Sequence, residues 1–292
     1  MNQKVAVLGA GRMGSALATA LFKKGFATAV WNRTAAKAAP LAKLGLRVAP
    51  SVPEAVQDAG VVVVNINNYD ATKELLRHPD VQSALRGKML VQLTTGTPDE
   101  AREMESWAGR HGIEYLDGAI LGSPADIAKS QGNVFYSGSE ERFNRIKPVL
   151  LAFGDNAIFV GNGIGHASAL DVAVLSWGMG AMFGFLQGYI VCEAERFPIE
   201  KYLEFVKSLM PVLDITFAGF HRTIQEKDYD NTQASLEAYA ASPKELIQWS
   251  KDHGIDHSLA DAQLALCEKA IKAGKSQADF SYLYEVLKKG SA

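Results

Sequence analysis

The chain has 292 residues, 48% of them hydrophobic, with 30 Lys and Arg set against 32 Asp and Glu for a formal net charge of -2. That length can bury a large core and suggests two domains, while the absence of a basic cluster argues against nucleic acid and leaves a small molecule as the expected partner. The two cysteines, Cys192 and Cys267, stand far apart with no neighbour at ligand spacing, which predicts neither a disulfide framework nor a metal site.

An apolar strand, Val5-Ala6-Val7-Leu8, opens the chain almost at once; this leaves no room for a signal or transit peptide and predicts a cytoplasmic location. It runs into Gly9-Ala10-Gly11-Arg12-Met13-Gly14 and an amphipathic helix, the pattern of a dinucleotide cradle. Gly9 permits the tight turn, Gly11 lets the backbone approach a pyrophosphate, and Gly14 lets helix and strand pack closely, with the helix N-terminus facing the phosphates. A second strand, Thr28-Ala29-Val30-Trp31, follows and ends in Asn32-Arg33-Thr34. NAD-selective sites place Asp or Glu there to accept from the ribose 2′-hydroxyl. This chain has no acid at that strand end: Arg33 can fork onto a 2′-phosphate, Asn32 and Thr34 can donate neutral hydrogen bonds, and Lys37 adds charge within one helical turn. The competing reading, Arg33 as a solvated surface charge, explains the base but not the missing acid. The cofactor expected from the pattern is NADP(H).

Alternating strands and helices continue to about residue 160. Val61 to Ile66, Met89 to Leu93, Glu114 to Leu116, Val134 to Tyr136 and Ala157 to Val160 read as strands, with helices near Pro53 to Asp58, Ala71 to Leu76, Pro98 to His111 and Glu140 to Phe153. Thr97, Pro98, Asp99 and Glu100 punctuate the start of the third of these helices. A doubly wound α/β Rossmann domain over 1–162 is expected.

Beyond Gly161-Asn162-Gly163-Ile164-Gly165 only helical periodicity remains, so 163–292 is expected to be an all-α domain. Its first helix should run from about His166 to Glu195 and is uncharged from Val172 to Cys192. Asp171 and Glu193 bracket that run, Ser176 and Gln187 interrupt it, and flanking basic residues are missing, which favours a buried helix over a membrane span. Gly180, Gly184 and Gly188 form a stripe that admits another helix, and so apolar a helix needs cover from a partner chain. Further helices are expected over Ile199 to Gln225, Gln233 to His253, Ser258 to Lys272 and Phe280 to Lys288.

The glycine fingerprint, Val30-Trp31-Asn32-Arg33-Thr34, Leu93-Thr94-Thr95-Gly96-Thr97-Pro98, Tyr115-Leu116-Asp117-Gly118-Ala119-Ile120 and Tyr136-Ser137-Gly138 together resemble the imine reductase and reductive aminase family, a relative of the β-hydroxyacid dehydrogenases. The resemblance implies NADPH-dependent reduction of C=N bonds. It also implies a homodimer whose helical domains interlock, each active site lying between one chain's Rossmann domain and the other's helices. By the same resemblance Asn65, Ile66 and Asn67 form a loop that contacts the cofactor, and Thr95 ends its strand near the nicotinamide.

A β-hydroxyacid dehydrogenase needs a lysine at the start of the interdomain helix, where this chain has Ala169, and Ser-Gly-Gly donors for a carboxylate, where it has Ile120-Leu121-Gly122. An iminium ion instead arrives cationic and loses its charge on reduction, so a nearby carboxylate suits it. Asp171 matches the family's aspartate at that helix start; the bland alternative, an acid stabilised by the helix dipole, is compatible with this role. Many family members carry a tyrosine or second aspartate two turns on, whereas this chain has Met179, whose thioether is no acid. Tyr239 can supply a hydroxyl or can be a half-buried helix tyrosine. An imine reductase is the expected activity; the alternatives are a β-hydroxyacid dehydrogenase-like enzyme and a non-catalytic NADPH-binding sensor.

Overall fold

The structure, a computed structural model, describes residues 3–129 and 133–289. The chain packs as two compact units, Met1–Gly178 and Met179–Ala292. The first is built in the order β1 (Lys4–Leu8), α1 (Arg12–Lys23), β2 (Ala27–Trp31), α2 (Ala35–Lys43), β3 (Arg47–Val48), α3 (Val52–Val56), β4 (Val61–Val64), α4 (Tyr69–Leu76), α5 (Pro79–Leu85), β5 (Met89–Gln92), α6 (Pro98–Arg110), β6 (Glu114–Leu121), β7 (Asn133–Ser137), α7 (Glu140–Leu150) and β8 (Asn156–Phe159). It ends in the first turns of α8 (His166–Ala194).

The strands form one sheet in the order β3-β2-β1-β4-β5-β6-β7-β8. Every neighbouring pair is parallel except β6 and β7, so the last two strands run against the rest. Both faces of the sheet are covered, and the central strands read as unbroken apolar runs for that reason. Val5, Val7, Val61 and Val63 face one core layer with Leu17 and Leu21 of α1; Ala6, Leu8, Val62 and Val64 face the other with Tyr69 and Met104. The chain adds β2 and β3 on one side of β1 and then crosses to add β4 on the other, all parallel, and this change of side opens a crevice at the carboxyl ends of β1 and β4, the usual ligand position in such sheets.

Several elements differ from the sequence expectation. The strand expected over Glu114 to Leu116 extends to Leu121, because pairing with β7 carries it past its apolar start. Helices α2 and α5 and the two-residue β3 were not expected; the first two carry Pro40 inside and Pro79 at the first position, and β3 is defined only by its pairing to β2. The helix expected over Ile199 to Gln225 is two helices joined at Leu209, since Pro211 in the first turn of the second cannot donate to the turn before it.

The second unit continues α8 and adds α9 (Ile199–Ser208), α10 (Met210–Glu226), α11 (Leu236–Asp252), α12 (Ser258–Lys272) and α13 (Leu283–Lys288). Leu236, Ala240, Cys267, Ala270 and Leu283 form its small core. Ser235 caps α11 by accepting from the Ala238 amide. Of the α8 glycines, Gly188 serves packing within the chain: a Cβ there would stand 2.2 Å from the Tyr202 hydroxyl of α9, which donates to the Phe185 carbonyl. Gly180 and Gly184 face open space. Helix α8 is long and apolar enough to cross a membrane by length and composition, and its middle is exposed within the chain: Trp177, Met182 and Leu186 are all more than half exposed.

Candidate functional site

The crevice at the ends of β1, β2 and β4 is a cleft of about 450 Å³. Gly9, Gly11, Arg12 and Met13 form one wall, Asn32, Arg33, Thr34 and Lys37 a second, and Asn65, Ile66 and Asn67 a third. The tightness of the glycine loop is literal. At Gly9, with φ +115°, a Cβ would stand 2.1 Å from the Asn65 carbonyl oxygen, and at Gly14 it would stand 2.2 Å from that of Gly9. Gly14 therefore packs beneath the loop and does not line the cleft, whereas Gly11 has nothing within 4 Å of its Cβ position and faces open space.

No side chain caps α1 and its first turn holds no acidic residue, so its N-terminal amides and dipole are offered to a ligand anion. Arg33 and Lys37 are exposed and form no ion pair among the described residues. Asn32 is largely committed to the loop itself. Its Oδ1 accepts from the Ala10 amide at 2.9 Å and its Nδ2 donates to the Thr34 carbonyl at 2.9 Å, leaving one amide hydrogen for a ligand. Asn65 likewise donates through Nδ2 to the Leu93 carbonyl at 2.6 Å, and the Ile66 amide donates to Thr94 Oγ1, which ties the end of β4 to that of β5. Thr95 is exposed beyond β5 and does not line this cleft. Trp31 of β2, Ala71, Glu74 and Leu75 of α4, and His78 just before α5 complete the lining, and none of them was named as a site residue from the sequence.

A second polar cluster lies in the same unit. Asp171, in the second turn of α8, is 2% exposed, its Oδ1 has no hydrogen-bond partner, and burial raises its carboxyl above the ordinary value. One turn earlier, Ser168 donates from Oγ to Asp117 Oδ2 at 2.9 Å and from its amide to the same oxygen at 3.3 Å. The Tyr69 hydroxyl donates to Asp117 Oδ1 at 3.0 Å and lies 3.3 Å from that of Tyr115. Burial pushes the Asp117 carboxyl up to about 6 against the opposing pull of these donors, and burial raises both tyrosines. Local periodicity cannot reveal this set, because Tyr69 and Ser168 lie 48 and 51 residues from Asp117. The sequence motifs held Tyr115, Asp117 and Gly96 without showing that they meet: a Cβ at Gly96 would stand 2.3 Å from the Tyr69 ring.

Met179 and Tyr239 belong to the second unit. Met179 is 46% exposed on α8, and Tyr239 is 43% exposed on α11 with its ring 4.8 Å from that of Phe280.

The family model for the NAD binding domain of 6-phosphogluconate dehydrogenase matches residues 4–161, and that for the NADPH-dependent reductive aminase-like C-terminal domain matches residues 163–289. An imine reductase from Myxococcus stipitatus, solved in complex with NADP+, is 42% identical with a TM-score of 0.91, the match covering 97% of this chain and 99% of that one. The chain belongs to the imine reductase family. Among other members, a reductive aminase from Aspergillus terreus, solved with NADPH4, cyclohexanone and allyl amine, is 27% identical with a TM-score of 0.88 over 98% of this chain and 100% of that one. An NADPH-dependent reductive aminase from Aspergillus oryzae is 29% identical over 99% of both chains. Within this imine reductase family frame the motif from Leu93 to Pro98 has local duties: Thr94 braces the cofactor loop, Gly96 admits Tyr69, and Thr97 with Glu100 forms the capping box of α6.

Proposed function

We propose that the chain catalyses NADPH-dependent reduction of imines and iminium ions to amines, and that reductive amination of ketones is an extension of the same site. The observation that carries this reading is the pair Arg33 and Lys37 beside an open glycine cradle, in a chain 42% identical to an imine reductase solved with NADP+.

The cleft fits a phosphorylated dinucleotide. The space over Gly11 and the uncapped start of α1 suit the pyrophosphate, while Arg33 and Lys37 supply charge for a 2′-phosphate. NADPH, when bound, supplies the hydride. Asp171 acts on the nitrogen of the substrate. Held protonated longer than an ordinary carboxyl, it can donate its proton to a neutral imine; the resulting carboxylate then faces the iminium cation, orienting its N–H and favouring the charged form. Reduction removes that positive charge, so no donor for a developing oxyanion is needed. Ala169 and the apolar run from Ile120 to Leu121 fit this economy, because they supply neither a proton relay for an alkoxide nor a cradle for a substrate carboxylate. Met179 cannot donate a proton, so that role does not fall to it.

The proposal includes a homodimer. Large apolar side chains on three successive helices are exposed in the single chain, among them Trp177 at 58%, Phe205 at 68% and Ile215 at 73%, and a second copy covering them removes an aggregation-prone surface. Mixing the protein with NADPH and a cyclic imine such as a pyrroline tests the reading, with loss of the nicotinamide absorbance expected. Oxidation of β-hydroxy acids with NADP+ and none of the imine reaction overturns it in favour of a dehydrogenase; tight NADPH binding without turnover on any imine overturns it in favour of a sensor.

A further inference from the structure

Helix α8 begins without a cap of its own in sequence, yet each amide of its first turn has a partner. The His166 amide donates to the Gly163 carbonyl at 3.0 Å, the Ala167 amide to Ser137 Oγ at 3.0 Å, and the Ser168 amide to Asp117 Oδ2 at 3.3 Å. Asp117 and Ser137 are directly opposed in the β6–β7 ladder. One cross-strand pair therefore caps two successive amides of the helix, and a carboxylate sits where the positive end of the helix dipole favours it.

This cap has a consequence for Asp171, which follows Ser168 by three positions and so lies on the same helix face one turn on. The Asp171 carboxyl has no partner of its own at Oδ1 to hold it. The turn of α8 that precedes it is hydrogen-bonded to the sheet through Asp117 and Ser137. Asp117 is itself fixed from the far side: Tyr69 reaches it from α4 through the space that Gly96 leaves.

We propose that Asp117 is a positioning residue for the reduction, an N-cap supplied by the sheet that aims Asp171 at the substrate nitrogen. The proposal rests on the role given to Asp171 above. Asp117 does not line the cofactor cleft, so the effect expected of its replacement is on the rate and not on the NADPH Kd.

The test compares Asp117→Ala, Asp117→Asn and Ser168→Ala in the wild-type background and in Asp171→Asn, reading kcat and KM for a cyclic imine beside the NADPH Kd. In the wild-type background, Asp117→Ala is expected to lower kcat about 10- to 100-fold with the NADPH Kd within about twofold of wild type, while Asp117→Asn, which keeps an acceptor, recovers most of the rate. In the Asp171→Asn background, Asp117→Ala is expected to cost less than about twofold further, because the two residues act through one group. If Asp117→Ala does not fold, Ser168→Ala carries the test, with a smaller loss of kcat that also vanishes in Asp171→Asn. Losses that multiply across the two backgrounds overturn the proposal, as does unaltered kcat in Asp117→Ala or, where that variant does not fold, in Ser168→Ala. Wild-type kcat in Asp171→Asn alone overturns the assignment of Asp171 and this proposal with it, whereas an impaired Asp171→Asn beside a fully active Asp117→Ala overturns positioning only.

Discussion

Replacing Asp117 by asparagine removes a buried charge while keeping the side-chain shape, and its effect on stability has a calculable dependence on pH. Asp117 is fully buried, and its carboxyl is pushed from 3.8 to about 6, with Tyr69, Tyr115 and Ser168 facing it and no Lys or Arg paired with it among the described residues. The native state thus holds this proton more tightly than the unfolded chain does. The contribution of the group to stability is greatest in acid, falls as pH rises through the window from 3.8 to about 6, and is level above it. A shift of about 2 units corresponds to about 3 kcal/mol in total, of which about 2 kcal/mol is lost between pH of about 4.5 and about 7. Asparagine does not titrate, and every other carboxylate is common to both proteins. Urea unfolding followed by tryptophan fluorescence at both pH values and one protein concentration should therefore show the variant gaining about 2 kcal/mol on wild type as the pH is raised. A difference that does not change with pH, or one that changes in wild type's favour, refutes the reasoning.

Arg33→Ala is expected to weaken NADPH binding about 10- to 100-fold and to leave NADH binding within about twofold, read by fluorescence titration; equal losses for both cofactors contradict a 2′-phosphate contact. Gly14→Ala forces a methyl group to 2.2 Å from the Gly9 carbonyl oxygen, so both the melting temperature and NADPH affinity should fall, the latter at least about 10-fold. Asp171→Asn should lower kcat by about 100-fold or more, and the wild-type kcat profile should show an inflection above the ordinary carboxylate range that the variant lacks. Leu186→Glu combined with Ile215→Glu should shift the particle mass measured by light scattering from dimer to monomer; an unchanged dimer places the interface elsewhere.

Much of the first unit was legible because its signals are local. Strands buried on both faces read as apolar runs, the glycine loop marks itself by spacing, and the residues after β2 sit beside one another in sequence, so an NADP-type cleft could be drawn from about 40 residues of chain. Elements whose existence depends on a neighbour were not: β3 is two residues stabilised by its pairing, and the division of α9 from α10 turns on one proline. Asn32 illustrates the boundary. Its residue type suggested a ligand contact, but the fold spends most of its hydrogen-bonding capacity on Ala10 and Thr34.

Sequence alone determined the doubly wound sheet, the helical half and the preference for a phosphorylated cofactor, since each depends on the order and spacing of residues within a few turns or strands; the candidacy of Asp171 came from the family resemblance. Tertiary structure alone decided that Tyr69, Asp117, Ser137 and Ser168 meet at the start of α8 and that Asp171 is buried with an unpartnered oxygen. A cap borrowed from a sheet joins groups tens of residues apart, and no periodicity records a contact that exists only after the strands have paired.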